Sequence, residues 1–568
     1  MRNKIMGIFV CMLMIGAVVL PVAGNLNQKE NVKSILMSSL NSMEFVPGEM
    51  IVKLKKDTTL SSYTEFMALN EKHQVSAFEK MFKNADGTIL ENIYLVHVPV
   101  ESDILSVVRE YESCPDVVYA EPNGVGTLCG ISNDANFSLQ WALHNTGQVF
   151  FNWQGVNYSG IPDADIDAPE AWDIETGSPD VVIAILDSGI DYSHPDLAAN
   201  IWNNTDEIPR NGIDDDHNGY IDDARGWDFF YSNNDPKDYM GHGTMCAGYA
   251  GAVSNNGIGV AGVCWNCSIM DVKVCDETGF FNINRTANGI KYAADNGANV
   301  ISMSWAFTTL YKSLRDAVNY AYNKGVFLCA AAHNWNTSTK YYPAAFETVT
   351  AVGATNQNDK RCTSKDWGTG AGSNFGDWVD IAAPGNLMYS TMPTYHVTMN
   401  DFGYTQNYDY MGGTSSATPL VAGVAALLLS QDPSLTPDEV GALLCGNVDP
   451  YISKEYIGTG RVNAQKALAA LMSDIKVKIK GGLGIEAVIT NVGTSDITGV
   501  AWQIHVEGGI QGFINKTVSG TVDMKAGESQ TVSTGLFFGF GGIVISAKAD
   551  IVGTAVRGTQ LLIYSMVK

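Results

Sequence analysis

Short apolar runs alternate with amphipathic segments between about residues 181 and 471, and this alternation limits the fold more than any other feature. Such runs are typical of parallel strands that are buried on both faces. The intervening segments, such as 287–294 and 314–323, have the spacing of helices. The pattern therefore predicts an α/β domain with a layered, mostly parallel sheet. The predicted strands are 181–186, 268–274, 300–304, 326–331 and 348–352.

Two smaller modules flank this domain. Residues 45–123 combine strand-like runs with an amphipathic helix, which predicts a small α+β module. From residue 475 charges become sparse, and alternating runs predict about seven antiparallel strands, hence a β-sandwich. We therefore expect a propeptide and linker at 25–133, a catalytic domain at 134–473 and a β-sandwich domain at 474–568. Strands of the last domain are predicted at 484–489, 499–505, 543–549 and 560–564.

Residues 1–24 have the pattern of a signal peptide. Arg2 and Lys4 precede the apolar stretch Ile5–Leu20, and small residues follow it. The alternative is an uncleaved anchor, which is less consistent with the polar residues that start at Asn25. We expect a secreted protein, extracellular or attached to the cell surface, with no membrane span after signal removal.

Charge and cysteine content narrow the function classes. The formal net charge is −25, which argues against nucleic acid as a partner because its phosphates would be repelled. The same excess leaves carboxylates free for calcium. An exported protein allows disulfides, and Cys264 and Cys267 form a local pair. A disulfide is favoured over zinc there, since no second Cys/His pair follows at ligand spacing.

The most informative local motif is Gly413-Thr-Ser415-Ser-Ala-Thr-Pro419. The apolar run after it predicts a buried helix with Pro419 in the first turn, where a missing N–H has no cost. Ser415 would then lie at the helix N-terminus, where backbone N–H groups and the dipole favour negative charge. That position suits a nucleophile, because the oxyanion forms beside it. For this motif alone, a Ser/Thr N-cap on a core helix is the simpler interpretation.

Three further positions supply the partners of a reactive serine. Asp187 follows a predicted buried strand, at the edge where such sheets present ligand groups. His242 opens a helix of small residues. Aspartate, histidine and serine together can activate a hydroxyl. Asn334 follows the strand 326–331 and can donate to an oxyanion, a contact worth about 2.7–4 kcal/mol of barrier.

The order of these motifs resembles the subtilisin-like serine proteases (subtilases), over about residues 134–472. The resemblance implies a three-layer domain with a mostly parallel central sheet, and serine endopeptidase activity through an acyl-enzyme. It implies that Asp187 orients His242, that His242 is the general base, and that Ser415 is the nucleophile. Asn334 and the N–H of Ser415 would form the oxyanion hole.

The resemblance also implies where a substrate binds. The peptide would add as an extended strand between 302–306 and 279–281, with Ser304, Trp305, Ala306 and Gly279 as binding residues. Two positions depart from the family pattern, since His333 and Ala306 stand where Gly is usual. The departures leave the preference for the residue before the scissile bond open. We expect apolar or small side chains there.

A carboxylate-rich loop predicts calcium. The order Asp-x-Asp-x-Asn-Gly from Asp214 matches the first half of an EF-hand loop, but Arg225 stands where the closing Glu is required. Carboxylates packed so closely repel one another without a cation. A solvated acidic loop is the alternative. The expected Ca²⁺ ligands are Asp214, Asp216, Asn218 and Asp222, with Asp223 and the carbonyl of Tyr220.

A second calcium site is implied by the resemblance alone. Its ligands would be Asp196, Asn256 and the carbonyls of Ile258 and Val260, with Gln140 as a further candidate.

The expected partners are protein or peptide substrates and the chain's own propeptide. The resemblance implies that residues 45–123 fold against the catalytic domain, inhibit it and are removed autocatalytically, with cleavage between Asn123 and Asn136. We expect a monomer. Two rival readings remain: a catalytically silent binding or adhesion protein on this scaffold, and a metal-dependent hydrolase that uses the acidic loop. The complete set of Asp187, His242, Asn334 and Ser415 favours the protease.

Overall fold

The structure is a computed structural model, and it divides the chain into two compact units, residues 1–128 and 129–568. Within the described part, no helix combines the length and apolar character needed to cross a membrane. The predicted signal peptide and residues 125–130 of the linker lie outside the described residues. The described residues are 45–55, 64–82, 88, 90–100, 102–124, 131–153, 156–493, 496–549, 552–562 and 564–567.

The described residues of the first unit form a four-stranded antiparallel sheet and two helices. Alternate residues of its first strand are buried, so one face carries Met50 and Val52 into a core with Phe66 and Tyr111 from the two helices. The predicted α+β composition is therefore present, with one helix more than the sequence indicated. The elements are β1 (Phe45–Leu54), α1 (Thr64–Lys72), β2 (Ala77–Lys80), β3 (Ile93–His97), α2 (Ile104–Glu112) and β4 (Val117–Gly124), and the sheet order is β2-β3-β1-β4.

The second unit opens with an α/β domain. Three short 3₁₀ helices accompany its regular elements and those that follow, at Phe137–Leu139, Thr398–Phe402 and Ile510–Gly512. The elements are β5 (Phe151–Trp153), β6 (Val156–Tyr158), α3 (Ala168–Trp172), β7 (Val182–Asp187), β8 (Gly226–Asp228), α4 (His242–Gly251), β9 (Ser268–Lys273), α5 (Ile283–Asp295), β10 (Val300–Met303), α6 (Lys312–Asn323), β11 (Phe327–Ala331), β12 (Thr350–Thr355), α7 (Ser364–Trp367), β13 (Ile381–Pro384), β14 (Met388–Thr391), β15 (Tyr408–Met411), α8 (Thr414–Gln431), α9 (Pro437–Gly446), β16 (Val448–Asp449), β17 (Arg461–Val462) and α10 (Ala464–Met472).

A nine-stranded sheet forms the centre of this domain. Its order is β16-β17-β13-β12-β11-β10-β7-β9-β8, and every neighbouring pair is parallel except β16 and β17. Along β7, Ile183 and Ile185 face a core shared with α4 and α8, while Ala184 and Leu186 face a core shared with α5 and α6. Both faces are covered, which explains the continuous apolar runs. The predicted mostly parallel sheet is confirmed.

Helix α8 is almost completely buried, and it corrects one detail of the prediction. The helix begins at Thr414, so Ser415 is its second residue and Pro419 lies in the second turn rather than the first. A proline there removes the N–H that would bond the carbonyl four residues earlier, which is that of Ser415. The freed carbonyl is used in the site described below.

The last part of the second unit is built of antiparallel strands. A three-stranded sheet has the order β18-β20-β23, and a six-stranded sheet has the order β19-β26-β25-β24-β21-β22, with one core shared between them. The single strand predicted at 560–564 is wrong, because β25 ends at Leu562 and a new strand, β26, begins at Tyr564. The elements are β18 (Ile475–Lys480), β19 (Gly482–Leu483), β20 (Glu486–Asn491), β21 (Ile497–Gly508), β22 (Ile514–Met524), β23 (Ser529–Ser533), β24 (Gly539–Ala549), β25 (Val552–Leu562) and β26 (Tyr564–Val567).

These strands pack against the α/β domain through the end of α9. The side-chain amide of Asn447 donates to the carbonyl of Gly553 at 3.0 Å, and the N–H of Gly553 donates back to Asn447 at 2.9 Å. A Cβ placed on Gly446 would lie 2.4 Å from the backbone of Gly553. The two backbones therefore meet closely only because both residues are glycine.

A disulfide joins Cys264 and Cys267, between α4 and β9. This confirms the predicted pairing. The other described cysteines are free and buried: Cys114, Cys246, Cys275, Cys329, Cys362 and Cys445.

Candidate active site

The carboxyl edge of the nine-stranded sheet brings the predicted catalytic side chains together. β7 ends at Asp187, Ser304 follows β10, and His333 and Asn334 follow β11. Because the carboxyl ends of parallel strands share one edge, residues distant in sequence meet there. Helices α4 and α8 also begin at this edge and bring in His242 and Ser415. The cavity that they enclose has a volume of about 190 Å³, and its lining includes Asp187, His242, Gly279, Ser304, Trp305, Ala306, His333, Asn334 and Ser415.

Asp187, which is buried, pairs with the half-buried His242. The Asp187 carboxylate lies 2.8 Å from Nδ1 of His242, and it also accepts the N–H of Ser188 at 2.8 Å. This contact leaves Nε2 of the imidazole for the cavity. Burial alone lowers the pKa of His242, but the Asp187 carboxylate outweighs it and holds the pKa above its usual 6.5. The imidazole is therefore a stronger base than an isolated histidine.

Cys246 lies one turn along α4 from His242. Its sulfur is 3.8 Å from Nδ1 of the histidine. Burial raises the pKa of this thiol, so it stays protonated at neutral pH. Nδ1 therefore keeps its contact with the Asp187 carboxylate.

Neighbouring side chains hold Ser415 in place through its backbone carbonyl. Its carbonyl, freed by Pro419, accepts the hydroxyl of Ser304 at 3.0 Å and the thiol of Cys246 at 3.5 Å. Its hydroxyl donates to the carbonyl of Ser304 at 3.2 Å, and no bond to His242 is present within the described residues. Catalytic hydrogen bonds of this kind commonly tighten only when substrate is bound. The N–H of Ser415 lies in the first turn of α8 and has no intrahelical acceptor.

Asn334 is oriented by Thr414. The side-chain oxygen of Asn334 accepts both the N–H and the hydroxyl of Thr414, each at 2.9 Å. The amide nitrogen is thereby left to donate into the cavity, where it stands beside the start of α8 and the N–H of Ser415. Thr414 was not identified from the sequence as a site residue. Its place directly before the candidate nucleophile was the only signal.

Asp238 is a second residue that the sequence reasoning missed. One of its oxygens accepts the N–H of Gly241 at 2.8 Å and the hydroxyl of Ser188 at 2.9 Å. The other accepts the N–H and hydroxyl of Thr244 at 3.0 and 2.7 Å. This buried carboxylate fixes the start of α4 to the turn after Asp187. The signal was its position four residues before His242.

The four predicted substrate-binding residues all line the cavity. Trp305 is buried, and its indole N–H donates to the carbonyl of Leu186 at 2.7 Å. Its ring contacts Phe281, with ring centroids 5.7 Å apart. Ser304, Ala306 and Gly279 are also part of the cavity lining.

Three carboxylates cluster at the acidic loop, and two of them were predicted as calcium ligands. Glu207, Asp216 and Asp223 each place a carboxylate oxygen within 4.8 Å of the other two. Asp216 and Asp223 were predicted, whereas Glu207 precedes the motif and was missed. Glu207 accepts the N–H of Asp215 at 2.9 Å and that of Asp222 at 3.1 Å, which folds the loop around its carboxylate.

The remaining predicted ligands lie around this cluster. Asp214 accepts the N–H groups of Asn218 and Gly219 at 3.1 and 3.0 Å, and the Asn218 amide reaches Asp216 at 2.9 Å. Asp222 is turned away, because its carboxylate accepts the N–H groups of residues 211 and 212. The ring of Tyr220 packs among other aromatic rings.

The charge balance of the cluster fits a divalent cation. Within the described residues, no lysine or arginine pairs with Glu207, Asp216 or Asp223. Their partners are neutral, namely the amides of Asn204 and Asn218 and the hydroxyl of a tyrosine. Burial raises the pKa of Asp223, and the Asp216 carboxylate raises it further. Oxygen ligands with excess negative charge are what Ca²⁺ prefers.

Two of the side chains predicted for the second calcium site, those of Asp196 and Asn256, are in contact. Asp196 is buried and accepts the Asn256 amide at 2.8 Å and the N–H of Val260 at 2.7 Å, while Ile258 is exposed. Gln140 is occupied elsewhere, because its amide group exchanges hydrogen bonds with the backbone of Ala261. The sequence reasoning missed Asp134, which is buried and accepts the N–H groups of residues 255 and 256.

Comparisons with known proteins identify the domain. Residues 178–466 match the Subtilase family, and residues 33–123 match the Fervidolysin N-terminal prodomain. The chain is 40% identical over 304 residues to thermitase of Thermoactinomyces vulgaris, covering 53% of this chain and 93% of that protein.

Two further relatives extend the comparison. The chain is 34% identical to a thermophilic serine proteinase of Bacillus sp. (strain AK1), covering 68% of this chain and 79% of the relative. It is 36% identical to subtilisin E of Bacillus subtilis (strain 168), covering 51% and 66%. The chain therefore belongs to the subtilase family and is a serine endopeptidase with an N-terminal prodomain.

Proposed function

We propose that the chain is a secreted, calcium-stabilised serine endopeptidase that is made as a zymogen and processes itself. Asp187 orients the base, His242 is the base, Ser415 is the nucleophile and Asn334 stabilises the oxyanion. The observation that carries this proposal is the 2.8 Å contact between Asp187 and His242 in a cavity that also holds Ser415 and Asn334.

The first half of the reaction forms the acyl-enzyme. The Ser415 hydroxyl attacks the peptide carbonyl while Nε2 of His242 takes its proton. The Asp187 carboxylate keeps the proton on Nδ1 and stabilises the imidazolium. The carbonyl oxygen becomes negative between the amide of Asn334 and the N–H of Ser415, where fixed donors need no reorganisation.

The second half of the reaction hydrolyses the acyl-enzyme and regenerates the free enzyme. His242 gives its proton to the leaving amine, which breaks the peptide bond. A water molecule then attacks the acyl carbonyl, with His242 again as the base and the same oxyanion donors in place. Cleavage releases the acid product and restores the Ser415 hydroxyl.

Labelling with a fluorophosphonate tests this assignment against the rival adhesion protein. We expect one label on the purified chain, located at Ser415 by peptide mass, and none on Ser415→Ala. A silent scaffold would stay unlabelled. The metal-dependent rival is not favoured, because Glu207, Asp216 and Asp223 are not among the residues that line the cavity.

We also propose two calcium sites. Glu207, Asp216 and Asp223, with Asp214 and the Asn218 oxygen, would hold one ion. The ion would neutralise repelling carboxylates, and its affinity for the folded state would add to stability.

Asp196, Asn256 and Asp134 would hold the second ion, with the carbonyls of Ile258 and Val260 as the predicted backbone ligands. Calcium has no part in the steps of hydrolysis. Its effect is expected on unfolding.

The flanking parts complete the proposal. Residues 1–24 would direct export, and residues 25–133 would be removed as propeptide and linker. The mature protein would be a monomer with a catalytic domain at 134–473 and a β-sandwich at 474–568. The shared core of the two antiparallel sheets supports the last assignment.

A further inference from the structure

His333 stands in the cavity wall, and the hydrolytic steps above do not use it. It directly precedes Asn334 and lines the cavity together with Trp305 and Ala306. Its backbone has a φ of 80°, in the left-handed region that residues other than glycine rarely adopt. Backbone strain of this kind is concentrated at functional sites. His333 is therefore a candidate for contact with the substrate in the cavity.

The surroundings hold the imidazole in one orientation. The N–H of His333 donates to the hydroxyl of Thr414 at 3.1 Å, and its carbonyl accepts the N–H of Asn374 at 2.9 Å. The ring contacts those of Trp335 and Tyr341, with centroid distances of 5.9 and 4.8 Å. A group fixed in this way loses little entropy when a ligand binds it.

The hydrogen bonding also fixes the tautomer of His333. The N–H of Asn334 donates to Nδ1 at 2.8 Å. A neutral imidazole has one acceptor and one donor nitrogen, so an accepting Nδ1 places the proton on Nε2. Burial lowers the pKa of His333, which keeps the ring neutral at pH 7. Nε2 makes no hydrogen bond within the described residues and is not sealed from solvent, so it is a donor available to substrate.

The other polar side chains around this part of the cavity are already engaged. Ser304 donates to the carbonyl of Ser415, Asp187 binds His242, and Asn334 serves the oxyanion. Among the described residues that line the cavity, none is a lysine or arginine, and Asp187 supplies the one carboxylate. A basic side chain of the substrate would meet no free carboxylate, whereas a side chain with an acceptor would meet the imidazole donor.

We propose that Nε2–H of His333 selects substrates with glutamine or glutamate immediately before the scissile bond. This selection rests on the proposed peptidase function. The carbonyl bound by Asn334 belongs to that residue, so its side chain enters the cavity beside His333. Its methylene stem packs against Trp305 and Ala306, and its terminal oxygen accepts from Nε2. This preference differs from the apolar or small side chain expected from the sequence, because the imidazole donor favours a side chain with an acceptor.

Four peptides that differ only before the scissile bond test the proposal, with Gln, Glu, Met or Lys at that position. Met has nearly the shape of Gln without its acceptor. The wild-type enzyme, processed from the full chain, is compared with His333→Phe and His333→Gly. The Phe variant keeps an aromatic ring but no donor, and the Gly variant also relieves the positive φ. Fluorophosphonate labelling counts the active sites in each preparation.

We expect the wild-type enzyme to prefer Gln and Glu over Met in kcat/KM by about 3- to 10-fold, the range of one net hydrogen bond. Lys should be the poorest. Both variants should label fully and lose the preference. An equal Gln-to-Met ratio in the wild type and His333→Phe would overturn the proposal while the peptidase function stands. A wild type that neither labels nor cleaves would overturn the proposed function, and this inference with it.

Discussion

At the residue scale, the role of Asn334 as an oxyanion donor can be tested without changing the nucleophile or the base. We expect Asn334→Ala to lower kcat by about 10²- to 10³-fold with little change in KM, because the lost donor acts mainly on the oxyanion. Steady-state kinetics on a peptide substrate measure this. The loss should appear while the Asp187–His242 pair and the active-site count by fluorophosphonate remain intact. A kcat within a factor of two of the wild type would remove Asn334 from the mechanism.

His242 sets the expected dependence of activity on pH. It must be neutral to accept the Ser415 proton, and the Asp187 carboxylate helps to hold its pKa above 6.5. Activity is therefore lost as the pH falls through that raised value. The acid limb of the kcat/KM profile should lie above pH 6.5 and should move to lower pH in Asp187→Asn, with a much reduced maximum. A wild-type limb below pH 6.5 would contradict the raised pKa.

The four catalytic candidates could be predicted because each lies in a local motif that forms a strand end or a helix start. Asp238 and Thr414 could not, because their importance lies in contacts that only the fold creates. The carboxylate of Asp238 joins α4 to the turn after β7. Thr414 turns the amide of Asn334 from 80 residues away in the chain. Reactive groups are therefore easier to predict from a sequence than the groups that orient them.

At the element scale, the acidic loop links calcium to stability. Saturating calcium at 100 times its Kd would add about 2.7 kcal/mol to the folded state. We expect Glu207→Gln to lose the part of the calcium-dependent rise in Tm that this site supplies, because it removes one of the three clustered carboxylates. Thermal unfolding of the fluorophosphonate-blocked enzyme, with calcium and with a chelator, measures the rise.

Asp206→Asn is the matched control for this prediction. It makes the same change of charge at the adjacent position, where the side chain is exposed and outside the cluster. Its calcium-dependent rise in Tm should equal that of the wild type. If Glu207→Gln also keeps the full rise, the ion is held elsewhere.

The end of α9 offers a second test at this scale. Alanine at Gly446 would place a Cβ 2.4 Å from the backbone of β25, so the helix and strand must separate. We expect a loss of about 1–3 kcal/mol in unfolding free energy, as for overpacking. Gly441 lies on the same helix with its nearest neighbour 3.9 Å away, and Gly441→Ala should instead stabilise by about 0.5–1 kcal/mol. Equal melting of the two variants would mean that the contact is not tight.

Element types were easier to predict than their ends and partners. Five strands of the nine-stranded sheet are short apolar runs, and the structure has them within a few residues of the predicted bounds. The other four strands, β8, β13, β16 and β17, were not predicted. The start of α8 was predicted too late, because Pro419 is tolerated in the second turn of this helix. The hydroxyl of Ser304 and the thiol of Cys246 donate to the Ser415 carbonyl in place of the missing N–H. The predicted strand at 560–564 joined the end of β25 to the start of β26, because the sequence across both alternates like one strand.

At the scale of the whole molecule, the prodomain and the serine should be coupled. The boundary between the two compact units falls within the predicted cleavage interval, between Asn123 and Asn136. If the chain removes its own prodomain, the step needs the Ser415 hydroxyl. We therefore expect secreted Ser415→Ala to retain residues 25–133 and the wild type to lack them. Intact mass measures both, and calcium-dependent melting should show that the variant is folded.

Two additions make this result decisive. Active wild-type enzyme added to the variant should trim it at the same bond, because the cleavage site itself is unchanged. The variant incubated alone, or treated with blocked wild-type enzyme, should keep its mass. If Ser415→Ala is trimmed normally without active enzyme, another protease performs the maturation, and autoprocessing is excluded while the triad stands. Agreement of the trimmed ends would establish that the cavity built around Ser415 accepts the chain's own linker as a substrate.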